Sequence, residues 1–287
     1  MCMLVVARRV HPRYPLIVVA NRDEVLDRPT EQMHEWHRAG TGSNGDGYAG
    51  NRTVGNGNSG GGITGDGVGG IVAGRDVTAG GTWLALGSGA RFAAVTNVRE
   101  VLPDPPQPPR SRGELPVDAL TGPVPVTGFA GHIVDQLDQY GAVNLLAGDL
   151  DEMWWASNRS TRGPLRLGTG VHALSNAALD TPWPKVVGAA REVRSLLGTN
   201  ALEGPGWSGR LLDQLADRRR APLTHLPRTG VPFWQEWQLS SRFVRIGSWY
   251  GTRSTTAIRI DEHGTTDVVE RTWDARGRIS GTVARTL

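Results

Sequence analysis

The chain opens with two apolar runs. Residues 3–8 form a β-rich stretch, and residues 16–20 are almost continuously apolar. Between them His11-Pro12-Arg13-Tyr14-Pro15 is turn-prone. The start therefore predicts a hairpin whose second strand is covered on both faces. Asn21-Arg22-Asp23-Glu24 is expected to close that strand. Residues 82–86 and 91–96 predict two further strands around a tight Gly87-Ser88-Gly89 turn, and 145–150 with 153–156 another pair. The spacing of apolar positions turns helical over 129–140, with Ile133, Val134 and Leu137 on one side, and again over 183–197 and 207–218. Residues 245–260 and 265–273, joined by Asp261-Glu262-His263-Gly264, predict a C-terminal hairpin. Strands open and close the chain with helices between them. That order predicts a single α+β layered domain over residues 1–287 rather than a doubly wound sheet.

Residues 40–81 break the pattern. Glycine, asparagine and serine dominate, and too little apolar surface is present to offset the entropy of ordering. The expectation is a long mobile loop. Two stretches in it, Gly55-Asn-Gly57-Asn-Ser-Gly60 and Gly65-Asp-Gly67-Val-Gly69-Gly70, have dinucleotide-like spacing. Neither follows a clear buried strand or opens a helix, so neither implies a cofactor. His34-Glu35-Trp36-His37 is one residue short of the zinc-protease spacing, and no third ligand stands out. No cofactor and no metal are expected.

With 38% hydrophobic and 21% charged residues, the balance is that of an ordinary soluble protein. The net charge of +3 is spread over arginines, Lys185 being the only lysine. The one dense basic cluster, Arg218-Arg219-Arg220, sits at an expected helix end, where positive charge suits the dipole. Nucleic acid is therefore not an expected partner. The single cysteine rules out an intramolecular disulfide. The apolar runs near the start are too short for a signal peptide or a membrane span. A cytoplasmic location is expected, and self-association is left open.

Cys2 carries the most chemistry. An initiator methionine is normally removed before a small residue, and the chain would then begin with a thiol beside a free α-amine. An α-amine titrates near 8 and a thiol near 8.5, so the amine can accept the thiol proton and one residue supplies both nucleophile and base. Other blocks accompany it: Ala20-Asn21-Arg22-Asp23-Glu24, Arg28-Pro29, Gly80-Gly81-Thr82-Trp83-Leu84, Ala94-Val95-Thr96-Asn97 and Arg112-Gly113-Glu114-Leu115. Further on come Asn144-Leu145-Leu146-Ala147-Gly148-Asp149-Leu150, Leu174-Ser175-Asn176-Ala177, Thr181-Pro182-Trp183, Tyr250-Gly251-Thr252-Arg253 and Glu270-Arg271. In that order they resemble the NRDE/TANGO2 (transport and Golgi organisation 2) family.

The resemblance implies a four-layer αββα sandwich of the N-terminal-nucleophile hydrolase type, near the penicillin acylase and bile-salt hydrolase branch. It also implies roles. Asp23 would hold the α-amine of Cys2, Asn97 would donate to an oxyanion, Asn176 would be the second site asparagine, and Arg253 would stand near the thiol. Asn21, Arg22 and Glu24 would support them. Taken singly, Asn21, Asn97 and Asn176 also suit turns at strand ends, and Asp23 and Glu24 suit surface ion pairs with Arg22 or Arg28. The expected activity is hydrolysis or acyl transfer at the carbon–nitrogen bond of a small-molecule amide. The alternative is a non-catalytic binding or trafficking protein for haem or a lipid-like molecule, in which Cys2 or a histidine would ligate iron.

Overall fold

The computed structural model describes residues 2–36, 70–101, 108–122 and 135–287. Two antiparallel sheets lie face to face. The first contains β1 (Cys2–Arg8), β2 (Leu16–Val25), β10 (Gly170–Leu174), β11 (Arg245–Ile246), β12 (Tyr250–Ile260), β13 (Thr266–Trp273) and β14 (Ile279–Thr286). They run in the order β10-β1-β2-β12-β13-β14, with β11 beside β12. The second contains β3 (Thr30–Trp36), β4 (Ile71–Asp76), β5 (Leu84–Gly87), β6 (Arg91–Asn97), β7 (Val143–Gly148), β8 (Met153–Ser157) and β9 (Leu165–Arg166), in sequential order.

The alternation of side chains explains the layers. On β1 and β2, Leu4, Val6, Leu16, Val18 and Ala20 point to the second sheet and meet Phe92, Ala94 and Leu146. Met3, Val5, Ala7, Ile17 and Val19 point the other way, onto helices. A strand covered on both faces needs apolar residues at every position, which is why 16–20 reads as an unbroken apolar run. The covering helices are α2 (Pro184–Leu197) and α3 (Trp207–Leu215). Proline at the first position of α2 costs no hydrogen bond there, and Val186, Ala189 and Val193 recur on its buried side. On the far side of the molecule α1 (Glu114–Thr121) buries Leu115, Ala119 and Leu120 against Ala85, Ala93 and Leu145 of the second sheet. The result is helix, sheet, sheet, helix, the αββα order expected from the resemblance.

Several local expectations change. Asn21 to Glu24 do not end a strand: β2 runs on to Val25 and pairs with β12 as far as Tyr250. Of the loop expected over 40–81, residues 40–69 lie outside the described residues, as do residues 55–60 and 65–69 of the glycine patterns. The remainder contains β4, whose Ile71 and Ala73 are each 1% exposed. The helix expected over 129–140 lies outside the described residues up to 134, and Leu137–Gln139 form a single 3-10 turn. The third expected helix stops at Leu215, so Arg218, Arg219 and Arg220 follow it in chain without regular secondary structure. His34 sits on a strand, and His37 lies outside the described residues. A short α4 (Phe233–Gln238) was not anticipated.

Candidate active site

Cys2 is the first residue of β1 and stands opposite Arg22 on β2. Directly paired residues share a face, so both side chains point between the sheets, at the rim where Leu4 and Val6 have closed the core. A cavity of about 340 Å³ opens there. Cys2, Arg22, Asp23, Glu24, Trp83 and Asn97 contribute to its wall. Cys2 is half-buried. Burial pushes its thiol above the ordinary value; the amino-terminal charge and Arg22 pull it down, Asp23 pushes it up, and the Asp23 backbone N–H donates to the sulfur.

Arg22 is 4% exposed and fully engaged. It lies 4.5 Å from the Trp83 ring centre, donates to Thr30 Oγ1 at 3.0 Å and pairs with Asp76 at 3.2 Å. Asp76 also accepts Arg28 at 2.6 Å. Burial alone would raise the Asp76 carboxyl, but the Arg28 bond and two backbone N–H donors hold it below its usual value. One cavity wall is thus an arginine–aspartate–arginine unit locked to a tryptophan face. A second wall is stitched by glycines. The Thr82 N–H donates to the Gly113 carbonyl at 2.8 Å. A Cβ on Gly81 would sit 2.4 Å from the Gly113 backbone, so only glycine allows these two loops to touch.

Asp23 is 1% exposed and receives the Thr252 hydroxyl at 2.6 Å. Burial raises its carboxyl, while the amino-terminal charge and Lys185 lower it. Its backbone carbonyl accepts the Tyr250 hydroxyl at 3.0 Å. Asn97 ends β6. The Asn176 amide donates to the Asn97 side-chain oxygen at 3.0 Å and to its backbone carbonyl at 3.1 Å. Asn97 also contributes to the cavity wall. Asn176, itself 1% exposed and receiving the Ser175 hydroxyl, fixes Asn97 and does not line the cavity.

Two expected residues are placed elsewhere. Asn21 points to the helix layer, donating to the carbonyls of Leu215 and Arg242 at 2.9 Å each and accepting the Thr255 hydroxyl at 2.6 Å. Arg253 is the extra residue of a β-bulge: Thr252 pairs with Asp23 and Ser254 with Arg22. A bulge re-aims its side chain, and Arg253 donates to the carbonyls of Val25 and Arg28 and lines a second cavity of about 180 Å³. Arg22 is the guanidinium in the wall beside Cys2.

That second cavity is floored by Glu270, 2% exposed, which burial raises from 4.5 to about 6 although the Met33 N–H donates to it at 2.8 Å. A carboxyl raised by folding binds protons more tightly in the native state, so its stabilising contribution is complete below 4.5 and lost as pH rises through 6. The shift corresponds to about 2 kcal/mol. Glu270→Gln is therefore expected to flatten the decline in melting temperature between pH 5 and 7, as read by thermal denaturation across that range.

The family model described as Transport and Golgi organisation 2 matches residues 1–47 and 65–275. The chain belongs to the Transport and Golgi organisation 2 family. The internal residues left out, 48–64, fall in the glycine-rich stretch, and the match ends before residues 276–287. The Transport and Golgi organization 2 homolog of Mus musculus is 28% identical over 270 residues, covering 90% of this chain and 86% of the relative. The Homo sapiens homolog is 28% identical over 271 residues with the same coverage. Among solved structures, the mutant C2A conjugated bile acid hydrolase from Clostridium perfringens aligns over 100% of this chain and 96% of that one, with a TM-score of 0.47 and 8% identity.

In this Transport and Golgi organisation 2 family member, the pattern of the sequence did not disclose the buried cluster behind the site. Arg99 follows β6, and its guanidinium pairs with Glu236 of α4 at 2.7 Å and lies 4.9 Å from the Trp183 ring centre. Both side chains are almost fully buried. The Arg99 N–H donates to the Asn176 carbonyl at 2.7 Å, tying the cluster to the asparagine pair. A lone arginine beside the Asn97 strand end was the only sequence signal. Among the described residues no group of three histidine, cysteine, aspartate or glutamate side chains could hold a metal ion, and no helix is long and apolar enough to cross a membrane.

Proposed function

We propose that this protein is an N-terminal-nucleophile enzyme that cleaves or transfers the acyl group of a non-peptide amide through Cys2. The observation that carries this reading is the presence of Cys2, Asp23 and Asn97 in the wall of one cavity, with Arg22 beside the thiol. After removal of Met1, the α-amine of Cys2 lies next to Asp23, whose carboxylate orients it. The amine takes the thiol proton and the sulfur attacks the amide carbon. The carbonyl electrons move to oxygen, where the Asn97 amide donates; such a donor contributes about a hundredfold or more in rate. The oxyanion then collapses, the carbon–nitrogen bond breaks, and the ammonium returns its proton to the departing amine. The acyl group rests on Cys2 as a thioester until water or an acceptor amine attacks it. Arg112, exposed at the cavity wall and without an ion pair among the described residues, favours a substrate carrying negative charge away from the amide.

The test is a panel of N-acyl amides with and without a distal carboxylate, scored for amine release and for an acyl adduct on the protein by mass. Amine release or an adduct that depends on Cys2 supports the reading. No release and no adduct across the panel, with a Cys2-dependent Soret shift on haem titration, would instead support a binding protein.

A further inference from the structure

The second cavity opens on the same inter-sheet face as Cys2. Cross-strand pairing sets its place: Cys2 opposes Arg22, Arg22 opposes Ser254, and Ser254 opposes Thr272. Paired residues share a face, and Ser254 and Thr272 both line this cavity. At one strand spacing per step, Ser254 stands about 10 Å from Cys2. Glu270, two residues before Thr272 on β13, keeps to the same face. Trp83 and Trp273 supply apolar walls. Opposite charges also face the space. Glu270 is 2% exposed, and its donors are neutral, chief among them the Met33 N–H at 2.8 Å. Arg253, brought here by the bulge and half-buried, donates to the carbonyls of Val25 and Arg28. Among the described residues neither side chain forms an ion pair, with the other or with a third group. Glu31, half-exposed, adds negative charge to the wall. A charge taken out of water without an opposite charge is costly. The cavity is therefore complementary to a molecule that carries both signs. Its volume of about 180 Å³ is that of about six waters in the liquid, room for one small amino acid and not for a peptide.

We propose that this cavity is a binding site for a small free α-amino acid with an apolar side chain. Arg253 takes the carboxylate, Glu270 takes the ammonium, and Trp83 and Trp273 flank the side chain. The assignment stands apart from the function proposed for Cys2. The two sites still share a wall, because Trp83 lines both cavities.

Isothermal titration of the full chain with L-valine, N-acetyl-L-valine and L-valinamide tests it. Valine is expected to bind. Each blocked analogue lacks one charge and is expected to bind about tenfold more weakly or worse. Arg253→Gln is expected to weaken valine by about tenfold or more and to leave valinamide unchanged. Glu270→Gln is expected to weaken valine likewise and to leave N-acetylvaline unchanged. Burial raises the Glu270 carboxyl to about 6 in the free protein, and an ammonium beside it favours the ionised form. Valine binding at pH 6 is therefore expected to release about half a proton, read from the dependence of the heat on the buffer's ionisation enthalpy. No binding of valine at millimolar concentration overturns the proposal, even where the variants do not fold. Equal binding of all three compounds overturns it too, because an apolar hollow alone would give that result. So does valine binding undiminished in either variant, which would place the amino acid elsewhere.

Discussion

Cys2→Ala is expected to fold and to release no amine from any amide that the native protein cleaves, a fall of about a thousandfold or more in rate. The expectation follows from what the substitution leaves intact. Alanine at position 2 is also small, so removal of the methionine is expected as for cysteine, leaving the α-amine in place. Asp23 keeps its Thr252 hydroxyl, and Asn97 keeps its bond from Asn176. Only the sulfur goes. Substrate binding should persist, since Arg22, Trp83 and Asn97 make up the wall without help from the thiol. The variant should therefore trap bound amide. Kinetics with isothermal titration on the same preparation separate the two effects; a variant that turns over amide within tenfold of the native rate would place the nucleophile elsewhere.

Arg99→Met is expected to lower stability by about 3 kcal/mol, toward the lower end of the range for breaking a buried ion pair. Arg99 and Glu236 are 4% and 3% exposed and 2.7 Å apart, so removing the cation leaves a carboxylate out of water. Two features moderate the loss: the Thr229 N–H still donates to Glu236, and Lys185 stands close enough to supply charge. The double change Arg99→Met with Glu236→Gln should recover a large part of it, because Glu236 is then no longer a carboxylate buried without its guanidinium. Urea denaturation of the two variants tests this. A double variant less stable than Arg99→Met alone would show that the pair contributes through hydrogen-bond geometry rather than charge.

The central strands were legible because burial on both faces leaves a continuous apolar run, as in residues 16–20, and α2 was legible from its buried Val186, Ala189 and Val193. The strands that escaped notice lack that signature. β3 buries only Met33 and Trp36, β14 is an exposed edge with no fully buried residue, and β4 emerges straight from the glycine-rich stretch. In the site, Cys2, Asp23 and Asn97, named from the order of motifs, line one cavity, and each lies just outside an apolar run that the pattern located. Arg253 could not be placed, because a single bulged residue decides which way its side chain points. Nor could the Arg99, Lys185 and Glu236 cluster be foreseen. Its members are distant in the chain, and only the fold brings the segment after β6, the start of α2 and α4 together.

The account depends on one processing event that places a free amine and a free thiol on the same residue of the cavity wall. Intact mass of the purified protein, before and after an acyl-type cysteine probe, reads both at once. The expected result is a chain lacking its first methionine that gains a single adduct, with no adduct on Cys2→Ala. A chain that keeps Met1, or a label that survives loss of the thiol, would contradict it.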